Sequence, residues 1–139
     1  MFQIHYRFNL VNFSCFCIIL FLSTASCKKA GFGGDGKIQG YVHVHKWNAT
    51  FTQFIGQYPG KDVYVYIVYG KHLGYDKRIK TDYNGMFEFP SLYQGDYTVY
   101  VYSRDSTFAD ASGTNAVVQP VTLSKRGQTF VIDTLLILQ

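Results

Sequence analysis

Thr81-Asp82-Tyr83-Asn84-Gly85-Met86-Phe87-Glu88-Phe89 is the stretch on which the reading of this chain turns. Asp82 carries a short carboxylate that can hydrogen-bond turn amides, and Gly85 can take a left-handed backbone at no steric cost. Asn84-Gly85 suits a tight β-hairpin, so the turn is expected to join a short strand near 78–81 to a strand at 86–89. Phe87 and Phe89 then fall on one face of an extended chain and should fill a core. Leu92 closes the end of that segment, Gly95 permits a second turn, and Tyr97 returns the next strand inward. Every position from Thr81 to Tyr97 that stands out has a structural task. The stretch therefore argues for a fold and not for catalysis.

The period on both sides is two. Ile38, Gly40, Val42 and Val44 alternate with Gln39, Tyr41, His43 and His45. Val63, Val65 and Ile67 alternate with Tyr64, Tyr66 and Val68, and Tyr97, Val99 and Val101 with Thr98, Tyr100 and Tyr102. Alternation rich in β-branched and aromatic residues predicts half-buried strands. Further strands are expected at 116–123 and 129–138, around Lys125-Arg126-Gly127-Gln128. No window carries a 3.6-residue apolar stripe. The fold class predicted is all-β, a single seven-stranded, mostly antiparallel β-sandwich.

The chain has 139 residues, which supports one domain. Charged residues are 16% and apolar residues 47%, which excludes a disordered chain. A formal charge of +4 spread along the sequence gives no nucleic-acid footprint. Aromatics reach 18%, with 12 Tyr and 12 Phe.

The N-terminus reads separately. Phe8 to Leu22 is apolar apart from Asn9, Asn12 and Ser14, and ends in Ser23-Thr24-Ala25-Ser26-Cys27-Lys28-Lys29. A short apolar stretch closed by small residues is a secretory signal, and it is shorter than the ~20 residues a membrane-spanning helix needs. Leu22 to Lys29 resembles a bacterial lipoprotein processing site of the Bacteroidetes type. That resemblance implies acylation of Cys27 after removal of residues 1–26, although Thr24 stands where Leu is usual. Cys15 and Cys17 would leave with the signal, so no disulfide is expected. Gly31, Gly33, Gly34 and Gly36 make residues 27–36 a flexible tether, with the folded domain at 37–139. Lys28 and Lys29, in place of acidic residues after Cys27, point to the periplasmic side of an outer membrane.

The segment from Thr81 to Phe89, with Leu92, Gly95, Tyr97, Val99 and Val101, resembles the carboxypeptidase regulatory-like domain. Gly36 to Val42 and Lys61 to Val65 are similar to the first two strands of that family. The resemblance implies a transthyretin-like, or prealbumin-like, sandwich and says almost nothing about function.

Four sets of residues could carry chemistry. His43 and His45 would lie on one strand face about 7 Å apart, and two neutral imidazoles can hold a transition metal given further ligands. Intradiol ring-cleaving dioxygenases share the Thr-Asp-x-x-Gly turn and bind ferric iron with two Tyr and two His. Their His-x-His follows the turn and an Arg-Pro pair, whereas here it precedes the turn and the pair is absent. Transthyretin-related hydroxyisourate hydrolases end in Tyr-Arg-Gly-Ser, which Leu135-Leu136-Ile137-Leu138-Gln139 does not match. His72 and Asp76 share one loop without an evident nucleophile. Asp82, Asn84, Asp105 and Asp110 could offer oxygens to Ca2+ but are expected to cap turns.

The fourth set is aromatic. With the valines inward, Tyr64, Tyr66, Tyr100 and Tyr102 point outward, joined by Tyr41 and Trp47 beside the two His. Such rings favour partner surfaces and can also stack on sugars. The expectation is a lipid-anchored envelope protein without catalytic activity or cofactor. Its sandwich would recognise an envelope protein or, through the same tyrosines, a glycan.

Overall fold

A computed structural model describes residues 29–107 and 112–139. The leader, Cys27 and Asp110 lie outside the described residues. The described chain is all-β, with strands β1 (Phe32–Trp47), β2 (Phe54–Pro59), β3 (Tyr64–Tyr69), β4 (Lys77–Lys80), β5 (Met86–Leu92), β6 (Gly95–Arg104), β7 (Thr114–Leu123), β8 (Thr129–Val131) and β9 (Leu135–Leu138). They form two packed sheets, a β-sandwich.

One sheet is built on β1. Its first half pairs antiparallel with β5 and parallel with β8; its second half pairs antiparallel with β2 and parallel with β9. The other sheet has the order β4-β3-β6-β7 and is antiparallel throughout. Between them lie Ile38, Val42 and Val44 of β1, Phe87 and Phe89 of β5, Val65 and Ile67 of β3, and Tyr97, Val99 and Val101 of β6, all at most 2% exposed. The period-two reading of the inward residues therefore holds on every one of these strands.

Nine strands replace the seven expected. β2 was not anticipated, because its sequence Phe-Ile-Gly-Gln-Tyr-Pro alternates poorly and ends in a turn signal. The segment at 129–138 divides into β8 and β9, with Ile132 bonded to the Gln39 carbonyl between them. The tether expected over 27–36 is strand from Phe32 onward. Gly33, Gly34 and Gly36 lie where the chain is closely approached: a methyl on Gly34 would clash with the Leu92 carbonyl oxygen.

The Thr81–Gly85 turn does not close a hairpin. β4 and β5 belong to different sheets, and the turn carries the chain from one to the other. The Asp82 side chain accepts the N–H groups of Asn84 and Met86 at 2.9 and 2.8 Å, as expected. Only Gly85 has positive φ, at 79°, so Asn84 is not the second left-handed residue that a two-residue hairpin needs. The Gly85 carbonyl accepts Val42 N–H at 2.8 Å, and the Val42 carbonyl accepts Gly60 N–H at 2.9 Å. The buried Thr81 hydroxyl donates to the Gly60 carbonyl and accepts Val63 N–H. One turn thus binds the ends of both sheets.

Candidate functional site

The pleat decides what each sheet shows to solvent. On the β4-β3-β6-β7 sheet, Lys80, Tyr64, Tyr102 and Ala116 fall in one row across four strands, by strand pairing and alternation. Arg78, Tyr66, Tyr100 and Val118 form the next row, and Val68, Thr98 and Pro120 a third. The tyrosines at 64, 66, 100 and 102 expected to face outward are brought together here.

Their rings pack on one another. Tyr66 and Tyr100 stack at 5.0 Å and 10°, with Tyr102 edge-on to both at 5.5 and 5.6 Å. Tyr75, from the β3–β4 loop, meets Tyr66 edge-on at 5.1 Å. The Arg78 guanidinium lies 4.6 Å from the Tyr64 ring centre, and the Lys80 ammonium 5.1 Å from it. A hydrogen bond to the Tyr66 hydroxyl holds the pKa of Arg78 above its ordinary value. Burial raises that of Tyr100, and the neighbouring Tyr102 adds to the effect. This is a cationic, tyrosine-rich face whose rings pack on one another, mostly edge to face.

Tyr41 and Trp47 are not part of it. They lie on the outer face of the β1 sheet, on the opposite side of the sandwich, because β1 faces the core with its even-numbered residues. The single aromatic face expected is therefore two faces. His43 and His45 share the β1 side with ring centres 6.4 Å apart, edge to face. Phe54 packs against both His45 and Trp47, at 5.6 and 5.5 Å. Pairing sets Pro59 and Leu136 on either side of His43, and Gln57 and Leu138 on either side of His45. The pair thus has no third nitrogen or carboxylate, and no group of three His, Cys, Asp or Glu side chains suits a metal among the described residues.

The remaining sequence candidates serve structure. Gly95 has φ of 153° and would meet Ala30 at 2.8 Å if it carried a methyl. The Tyr97 hydroxyl donates to the Tyr93 carbonyl at 2.6 Å and accepts Gly31 N–H, which ties the segment before β1 to β6. The Asp105 carboxylate accepts both the amide and the hydroxyl of Thr107. His72 Nδ1 lies 2.7 Å from Asp76, whose other oxygen accepts Tyr69 N–H.

Three members of the cationic face were not anticipated: Tyr75, Arg78 and Lys80. Arg78 and Lys80 share strand parity, so their common side was readable, but not which strand they would border. A separate pocket of about 610 Å3 beside the start of β1 is lined by Lys29, Gly33, Gly34, Asp35, Tyr93, Gln94 and Arg126. Its Asp35 is held below the usual carboxylate range by a 3.0 Å bond from Arg126.

No family profile and no curated protein sequence matches the chain. Among solved structures it is similar to a proposed carbohydrate binding protein of Pseudomonas aeruginosa, at 18% identity and a TM-score of 0.47, over 79% of this chain and 92% of that one. It is also similar to a 9R-lipoxygenase of Cyanothece, at 17% identity and a TM-score of 0.39, and to an (S)-allantoin synthase, at 12% and 0.37. It spans 20% of the lipoxygenase and 42% of the synthase, covering 86% and 74% of its own length.

Proposed function

We propose that this chain is a lipid-anchored, non-catalytic recognition protein of a bacterial cell envelope, held at Cys27 and binding a protein partner through its tyrosine face. One observation carries the reading: four tyrosines in two rows, bordered by Arg78 and Lys80, form a contiguous surface on a rigid four-stranded sheet. Tyr and Arg are the residues that dominate binding energy at protein interfaces. Their stiff packing means little side-chain entropy remains to be lost on binding. The carboxypeptidase regulatory-like resemblance is compatible with such a module.

The test is photocrosslinking in the native envelope. With p-benzoylphenylalanine at position 100, a discrete protein adduct is expected; at position 43, on the opposite face, none. Replacing Tyr64, Tyr66 and Tyr100 together by Ser should remove the adduct from a probe at position 102, with the β-sheet spectrum retained. Equal adducts from both faces would count against the reading. Cys27→Ser should release the protein from the membrane fraction, and retention of this variant with an intact leader would argue against lipid anchoring.

A glycan ligand is the second reading, favoured by the pocket at Tyr93. An aromatic ring beside Asp35, Gln94 and Arg126 is the mixture of flat apolar surface and planar polar groups that sugars use. If so, Tyr93→Ala should abolish saturable binding of envelope oligosaccharides in calorimetry, while the three Ser replacements leave it unchanged.

A further inference from the structure

The chemistry of the partner can be read from the same face, and this inference rests on the recognition reading above. The face is graded across the sheet. At the β4 edge stand the exposed cations Arg78 and Lys80; in the middle lie the tyrosines; at the β7 edge stand Ala116, Val118 and Pro120, exposed and uncharged. Strand β7 carries no charged residue over its whole length.

No carboxylate comes within ion-pair distance of Arg78 or Lys80 among the described residues. The acids near this face are taken: Asp76 by His72 and the Tyr69 amide, and Asp96, the acid on the outward side of β6, by the Thr122 hydroxyl at 2.8 Å. Glu88 and Asp35 pair with Lys37 and Arg126 elsewhere. Two like charges therefore share one ring, that of Tyr64, without neutralisation. Opposite charge placed there gains Coulomb energy at little rearrangement cost, since the guanidinium is already oriented.

We propose that this face receives an acidic segment of a partner protein, with carboxylates on Arg78 and Lys80 and apolar side chains over Tyr100, Ala116 and Val118. A sugar ring fits less well, because the faces of Tyr64 and Tyr66 are covered by the cations and by Tyr100. The hydroxyls and the exposed parts of Tyr64 and Tyr102 are left, and these suit carboxylates and aliphatic side chains.

The experiment has two arms, both on the full-length protein. In the first, three fluorescent probes are titrated in detergent: a peptide with three Glu followed by two Leu, its counterpart with three Lys, and polygalacturonate. The Glu peptide is expected to bind saturably and to weaken about tenfold between low and physiological salt or on combining Arg78→Gln with Lys80→Gln. The pair Arg78→Lys and Lys80→Arg should retain most of the affinity. Equal binding of the Lys peptide, no saturable binding of the Glu peptide, or tighter binding of polygalacturonate would overturn the proposal. In the second arm, the crosslink from position 100 is repeated with both Gln replacements. Its loss supports an acidic partner. Its persistence overturns the acidic partner but leaves recognition standing, whereas absence of any crosslink in the parent protein removes the recognition reading itself.

Discussion

The two outer faces of the sandwich share one core and differ in how their charges are settled. On the β1 side, Lys37 meets Glu88 at 3.1 Å, and the imidazoles of His43 and His45 are bordered by Phe54, Pro59 and leucines. On the β3–β6 side, Arg78 and Lys80 rest on an aromatic ring, with no ion pair to a carboxylate among the described residues. Both faces are rich in aromatics, so aromatic content does not tell them apart. What differs is compensation: one face pairs Lys37 with Glu88, and the other carries two cations that have no ion pair among the described residues. The rings differ too: they meet edge to face on the β1 side, whereas the other side adds one stacked pair, Tyr66 on Tyr100, to its edge-on contacts.

The largest effect should come from the support both faces share. At Gly85 a side chain would require φ of 79° and would place its first carbon 2.4 Å from the Val42 carbonyl oxygen. Gly85→Ala must shift the turn, and with it the bonds that run from Gly85 to Val42 and from Val42 to Gly60. A loss of about 3 kcal/mol or more in urea unfolding is expected. Because the turn joins both sheets, crosslinking at position 100 and solvent protection of β1 should fall together. Loss of one without the other would mean that the faces are supported independently.

This joint also marks where the sequence could be read and where it could not. Alternation at 38–44, 63–68 and 97–102 assigned the inward residues correctly, because in a strand the side-chain period is two whatever the strand pairs with. Pairing itself is a long-range property. Asp82 and Gly85 signalled a turn, but nothing local distinguishes a hairpin from a crossing between sheets. The same limit merged Tyr41 and Trp47 with the tyrosines of β3 and β6, since "outward" has two directions in a sandwich. Gly33 and Gly34 read as slack chain because what presses on them, the Tyr93 ring and the Leu92 backbone, is some sixty residues away. Strand β2 escaped because it is held by β1 and contributes little alternation of its own.

A smaller effect should separate the faces. Tyr66 touches Tyr64, Tyr75, Tyr100 and Tyr102, whereas His45 touches His43 and Phe54 with ring edges. Tyr66→Ala should cost about 1–2 kcal/mol in chemical unfolding, from lost area and stacking on a half-buried ring. His45→Ala should cost about 0.5 kcal/mol, the scale of one cross-strand pair. Equal costs would mean that the tyrosine layer is no better packed than the β1 face, and its claim to be a preformed surface would weaken accordingly.

The smallest effect is a pH dependence that belongs to the tyrosine face. Tyr100 is raised above the ordinary phenol value of 10.0, chiefly by burial among its neighbours and then by Tyr102. A proton is therefore held more tightly in the folded state than in the unfolded chain. The stability associated with it is fully present below pH 10 and is lost as pH rises from there through the folded pKa, because the unfolded chain ionises first. Tyr69 and Tyr97, also raised by burial, give the same sign from the inner side of the sheet. Urea midpoints measured between pH 9 and 12 should fall in the parent protein and fall less steeply in Tyr100→Phe, which cannot ionise but keeps the stack on Tyr66. If the two curves coincide, the Tyr100 hydroxyl is as well solvated in the fold as in the unfolded chain, and the tyrosine layer would then be a row of separately solvated phenols and not a packed surface.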